Sequence, residues 1–168
     1  MAYRNKAYLC FDGDNDIGNY RLMKAWEKNK NINFDFYDAH EYNSRTRDTS
    51  LEETIKANLR ARLNNSKIFV VLIGNQTRYL YKFVRWEIEE AQKRDLPIVA
   101  VNINGIRQMD SDLCPPIVRD SLAIHISFNV RILQYAFDKW PESHRQYRQQ
   151  ADNRAYYYKQ EVYTELGL

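Results

Sequence analysis

Three aspartates, Asp12, Asp14 and Asp16, alternate in the stretch FDGDND that follows a short apolar run. Carboxylates at that density suit a hard divalent cation or Mg2+-dependent phosphoryl transfer at a strand end. The cation-loop pattern D-x-[DN]-x-[DN]-G fails, because the sixth position from Asp12 is Ile17 and the twelfth is Met23. A phospho-accepting layout needs an aspartate ending the third strand and a lysine ending the fifth, where the chain has Gly74-Asn75 and His125-Ile126-Ser127. Asp12-Gly13-Asp14 fits an Asp-x-Asp phosphatase start, but no paired-aspartate motif follows it. Helix N-capping and solvation at a strand end explain these aspartates better than either chemistry.

A single glutamate gives a more specific signal. At ~100° per residue, Leu80, Phe83, Val84, Ile88 and Ala91 share one apolar arc of a helix, and Glu87 falls inside that arc. A carboxylate among apolar side chains is costly unless paired, protonated or at the mouth of a cleft. Two readings stand equal on periodicity: a functional carboxylate, or a stripe-edge residue paired with an arginine such as Arg78 or Arg119.

The elements that must position these residues alternate between strand and helix. AYLCF (7–11), KIFVVLIG (67–74) and PIVAVNI (97–103) read as continuously buried strands, as in a parallel sheet covered on both faces. A first helix is expected over 17–28 with Leu22, Ala25 and Trp26 on one face, then a short strand at 34–37. Ser50 and Glu53 form an S-x-x-E capping box for a helix in which Leu51, Ile55, Leu59 and Leu63 recur every four residues. A third helix is expected over 81–94, a degenerate helical slot at 117–122, a fifth strand at 123–126 and a helix at 130–140. The pattern predicts an α/β, doubly wound sheet of about five parallel strands. Ligands of such sheets sit beyond the carboxyl ends of the strands, which places FDGDND, residues 38–49 and residues 74–80 around one crevice. Pro141 divides the chain into a domain of residues 1–140 and a tail of residues 141–168. In the tail Tyr147, Ala151, Ala155, Tyr158 and Val162 fall at helical spacing, as a helical extension packed on the domain or used in self-association.

Composition removes several classes. The 168 residues are 44% apolar, enough for one domain core without disulfides or metals, and the two cysteines, Cys10 and Cys114, show no ligand spacing. The 25 basic and 22 acidic residues are interspersed, net +3, so no basic stripe points to nucleic acid. No apolar run approaches the length of a membrane span or a signal-peptide core, and a cytoplasmic protein is expected.

The segment VVLIGNQTRYLYKFVRWEIEEA (70–91) resembles the stretch of TIR domains in which an aromatic residue, a small apolar one, two variable positions and Glu-Ile follow the third strand. Phe83, Val84 and Glu87-Ile88 hold those places. Together with FDGDND, SLEETIKANL and PIVAVNINGIR, the chain resembles the TIR-like family of Thoeris antiphage systems, the sensor subunit, within a flavodoxin-like group. The likeness runs from Tyr8 to Trp140. Two departures from the common TIR pattern are Asp-Gly-Asp after the first strand and Phe83 where tryptophan is usual; they point to the divergent TIR-like branch.

The resemblance implies an enzyme that cleaves NAD+ at the nicotinamide–ribose bond and makes an ADP-ribose-derived, hydrolysed, cyclised or conjugated, signal for a separate effector protein. It implies a phage-derived trigger, NAD+ as substrate, and no cofactor or metal. It makes Glu87 catalytic, beside the ribose hydroxyls next to nicotinamide. Phe11 and Asp12 wall the nucleotide pocket, with Asp14 in the same turn, and Asp38 opens the loop that gates it. Thr77 and Phe83 border the helix that presents Glu87. Trp86 stacks on a base or packs against the first helix, and Arg45 and Arg47 meet a pyrophosphate or are solvated. The alternatives are a non-catalytic TIR-like interaction module and a Mg-dependent phosphoryl-transfer domain.

Overall fold

A computed structural model describes residues 6–34, 37–38 and 51–168. Strand β1 (Lys6–Cys10) leads into helix α1 (Ile17–Lys28), and strand β2 (Tyr37–Asp38) precedes helix α2 (Glu52–Asn64). Strand β3 (Ile68–Ile73), a 3-10 turn (Thr77–Tyr79) and helix α3 (Val84–Lys93) follow. The chain continues with β4 (Ile98–Asn102), α4 (Pro116–Arg119), β5 (Ala123–Ser127), α5 (Val130–Gln149), β6 (Ala155–Tyr157) and α6 (Gln160–Glu165). The strands form one six-stranded sheet in the order β2-β1-β3-β4-β5-β6, and every pairing is parallel.

Strand alternation explains the two cores. Leu9, Leu72, Val101 and Ile126 point to one face, where Met23 of α1 and Phe137 of α5 cover them. Tyr8, Cys10, Val71 and Ala100 point to the other, under Leu59 of α2 and Ile88 of α3. Both faces are apolar, so β3 is buried at every position, and its hydrophobic run is continuous rather than alternating. Strand order reverses between β1 and β3, since the chain leaves β1 for β2 on one side and returns to β3 on the other. That reversal sets the ligand crevice at the carboxyl ends of β1 and β3.

The fold class agrees with the sequence, and three details differ. In α1 the buried residue is Met23, while Leu22 is exposed; Ile17, Tyr20 and Trp26 pack against the core beside it. The capping-box residue Ser50 lies outside the described residues, and α2 begins at Glu52 after Leu51. Pro141 does not end a helix: α5 runs through it to Gln149. Proline removes one helical hydrogen bond, but Ile132, Leu133, Ala136, Phe137, Trp140 and His144 form one buried stripe across it that holds the helix together. Beyond Gln149 the tail adds a sixth strand and a short helix instead of one continuous helix. Four tyrosines of residues 141–168, Tyr147, Tyr156, Tyr158 and Tyr163, pack on the chain itself, while Tyr157 is exposed. Tyr156 stacks on Tyr147 with centroids 4.2 Å apart, Tyr158 meets Tyr135 edge-on at 5.1 Å, and Tyr163 is buried beneath the Arg107 guanidinium. Among the described residues no helix is long and apolar enough to cross a membrane.

Candidate functional site

The β1 exit enters the switch-point crevice as a tight turn. Phe11 is buried and stacks on Tyr20 of α1, with centroids 4.9 Å apart. Asp12 is buried and organises the turn: Oδ1 accepts from the N–H of Asp14 at 3.0 Å and of Asn15 at 3.3 Å, and Oδ2 from the Asn15 side-chain amide at 2.6 Å. Such Asx bonds fix a loop without a metal. Asp14 is exposed at the tip. Asp16 occupies the N-cap position of α1, yet its side chain caps nothing. It is buried instead, and burial, then the Asp12 charge, raise its pKa, against a lowering contact from Thr77. The capping explanation therefore fails for Asp16.

Across the crevice, the β3 exit is held by Thr77, whose hydroxyl accepts from the Gly74 N–H at 2.9 Å and donates to the Leu72 carbonyl at 3.3 Å. This corner aims the chain into α3. There the Glu87 side chain, 2% exposed, accepts a hydrogen bond at 3.0 Å from the Tyr8 hydroxyl of β1. Tyr8 is fully buried and stacked on Phe69, centroids 5.5 Å apart, so the hydroxyl that meets Glu87 has little freedom. The two arginines offered as structural partners are engaged elsewhere: Arg78 donates to the Asp112 carbonyl, and Arg119 lies 3.5 Å from Asp120.

The other expected residues divide. Thr77 and Phe83 border Glu87 along the chain as expected, with Phe83 at the N-cap of α3 and its carbonyl accepting from the Glu87 N–H at 2.8 Å. Trp86 packs against the second helix rather than the first, under Lys56 at 5.4 Å and Arg60 at 5.3 Å from the ring centroid. Both cations lie within cation–π range of the ring. Asp38 closes β2 in register with Ala7. Arg45 and Arg47 lie outside the described residues. Among the described residues no group of three or more His, Cys, Asp or Glu could hold a metal ion.

Three features of the site escape periodicity. Tyr8 hides in an apolar strand, and its one sequence signal is that a buried tyrosine hydroxyl needs a partner. Glu90, one turn from Glu87, is also buried, and carries Lys93 at 2.9 Å and Arg94 at 2.7 Å. Burial pushes its pKa up, but those two cations outweigh it and hold the carboxyl below the usual range. A cleft of ≈ 620 Å³ opens on the other flank of α3, lined by Val84, Ile88, Gln92, Ile117 and Leu122 among others; Glu87 does not line it.

The strand order, the switch-point turn and a buried glutamate on the helix after β3 now bear on kinship. The family model for the Thoeris protein ThsB, TIR-like domain, matches residues 8–108. The chain belongs to the Thoeris ThsB TIR-like family. The matched residues span β1 through the loop after β4, and so contain Tyr8, the Asp12–Asp16 turn and Glu87. A solved structure, a conserved protein from Enterococcus faecalis V583, is similar over 98% of each chain, at 16% identity and a TM-score of 0.46. As a Thoeris TIR-like protein, the chain is assigned to antiphage defence, and its α/β sheet is the TIR-like scaffold.

Proposed function

We propose that this Thoeris TIR-like protein cleaves NAD+ at the nicotinamide–ribose bond in the cytoplasm, producing an ADP-ribose-derived signal for a separate effector. The observation that carries the reading is the Glu87 carboxylate, buried on α3 and fixed by the Tyr8 hydroxyl. As the ribose C1–nitrogen bond breaks, the electron pair leaves with nicotinamide and positive charge grows on the sugar. A preplaced carboxylate in a dry site stabilises that charge more than it stabilises the ground state. Tyr8 contributes by holding Glu87 in place, and the Asp12 turn and Thr77 corner by walling the crevice at the β1 and β3 exits. The ribose C1 is then captured by water, by another group of the same molecule or by an added nucleophile.

Glu87 is almost fully covered, which fits a resting enzyme that acts after a phage-derived trigger. The test is nicotinamide release from NAD+, with and without extract of phage-infected cells, for wild type and Glu87→Gln. Release by wild type and its loss in the variant support the reading. Equal release by both removes Glu87 from catalysis, and no release under either condition favours a non-catalytic interaction module.

A further inference from the structure

The Asp16 side chain is placed at a cost. An aspartate at an N-cap ordinarily accepts from the first helical amides, and Asp16 forgoes that bond. It turns across the crevice onto the β3 exit. A Cβ at Gly74 would lie 2.3 Å from Asp16 Oδ2 and 2.6 Å from Oδ1, so the carboxyl rests where any other residue's side chain would begin. Gly74 has no positive φ; its glycine is needed for this close approach and not for backbone freedom. Asp16 is 7% exposed, and its Oδ2 is buried with no hydrogen-bond partner among the described residues. A buried oxygen left unpaired is expensive and persists where another requirement holds it in place.

We infer that Asp16 is a positioning residue for the reaction proposed above: it ties the Phe11–Asp12 turn of β1 to the Gly74–Thr77 corner of β3, and so sets the width of the crevice. The inference rests on the NAD+-cleaving reading. Asp16 acts through Asp12 and Thr77 and does not itself touch the substrate. The backbone anchors Asp16 in its own turn, since the Asp16 N–H donates to the Asp12 carbonyl at 2.8 Å and the Asp16 carbonyl accepts from the N–H of Asn19 at 3.0 Å. The charged group that faces its carboxyl is Asp12; from the β3 side it meets Gly74 and Thr77, neither of which titrates. Burial first, and then the neighbouring Asp12, oppose a charge on this carboxyl and raise its pKa, while Thr77 lowers it.

The test measures kcat and KM for nicotinamide release in extract of phage-infected cells, for wild type, Asp16→Asn and Asp16→Ala. Thermal unfolding of each checks folding. Asp16→Asn keeps the shape and carries no charge; it is expected within about threefold of wild type. Asp16→Ala is expected to lose about tenfold or more in kcat/KM, since small displacements of a reaction site cost that much or more. Gly74→Ala should lower the unfolding temperature in wild type and much less in Asp16→Ala, where the clashing carboxyl is gone. The inference is overturned if Asp16→Ala matches wild type, or if Asn and Ala lose activity equally. A wild type that releases no nicotinamide sinks the underlying reading and this inference with it, whereas an active wild type matched by Asp16→Ala sinks only the inference.

Discussion

Two glutamates of α3, one turn apart, are buried beside different groups. Glu90 lies at the outer end among cations, with Lys93 and Arg94 within 3 Å and Arg60 at 3.9 Å. Its charge is compensated by side chains that also tie α3 to α2, and the group has a structural task. Glu87 faces the sheet and meets a phenol hydroxyl from β1. A hydroxyl orients a carboxylate without itself supplying a counter-charge, and negative charge is what stabilises a developing sugar cation. Burial alone therefore does not mark a reactive residue; the partner's chemistry separates these two.

The comparison is broken most severely if the two glutamates behave alike. Glu87→Gln should lower nicotinamide release by about 100-fold or more, the range seen when a preorganised electrostatic group is removed. Glu90→Gln should stay within about threefold in release but lose roughly 1–3 kcal/mol of stability by chemical denaturation, because three cations lose their carboxylate. Tyr8→Phe sharpens the contrast from the partner's side. It removes one hydroxyl and leaves the packing against Phe69, so release should fall about tenfold through kcat while KM changes little, consistent with the roughly 0.5–1.5 kcal/mol of one hydrogen bond.

Legibility follows the same division between pattern and partner. The apolar runs of β1, β3 and β4 and the four-residue spacing of Ile55, Leu59 and Leu63 reflect burial against a sheet or along one helix stripe, and such patterns survive in sequence. Glu87 was visible because it interrupts an apolar arc. Tyr8, Asp16 with Gly74, and the cation cage of Glu90 were not, since each depends on residues brought together from distant segments. The tail misled for a physical reason. Tyr147 and Tyr158 fall at helical spacing, but one packs from α5 and the other from beyond β6, so the repeat joins two elements. Pro141 misled likewise, because a continuous buried stripe on α5 outweighs one missing hydrogen bond.

A buried histidine extends the contrast to a group with no described partner. His125 on β5 is fully buried, neither ring nitrogen has a hydrogen-bond partner among the described residues, and burial pushes its pKa down to about 4. The unfolded chain takes up its proton near the ordinary value of 6.5, so stability should fall as pH drops from about 6.5 to about 4 and level off below. The loss attributable to this residue is at most about 3 kcal/mol. His125→Leu should flatten that part of the curve in unfolding measured against pH; an unchanged curve would assign it to other groups. The smallest effect is expected at Tyr157, exposed on the edge strand: Tyr157→Ser should shift stability by less than about 0.5 kcal/mol. By contrast, Tyr156→Ala, which removes the stacked ring, should cost about 2 kcal/mol.

The most direct measurement follows nicotinamide release from NAD+ in extract of phage-infected cells, with wild type, Glu87→Gln and Glu90→Gln at matched folded concentration. Release by wild type and Glu90→Gln with near-complete loss in Glu87→Gln is the expected result. Equal release by all three, or equal loss in both variants, would contradict the assignment of the chemistry to Glu87.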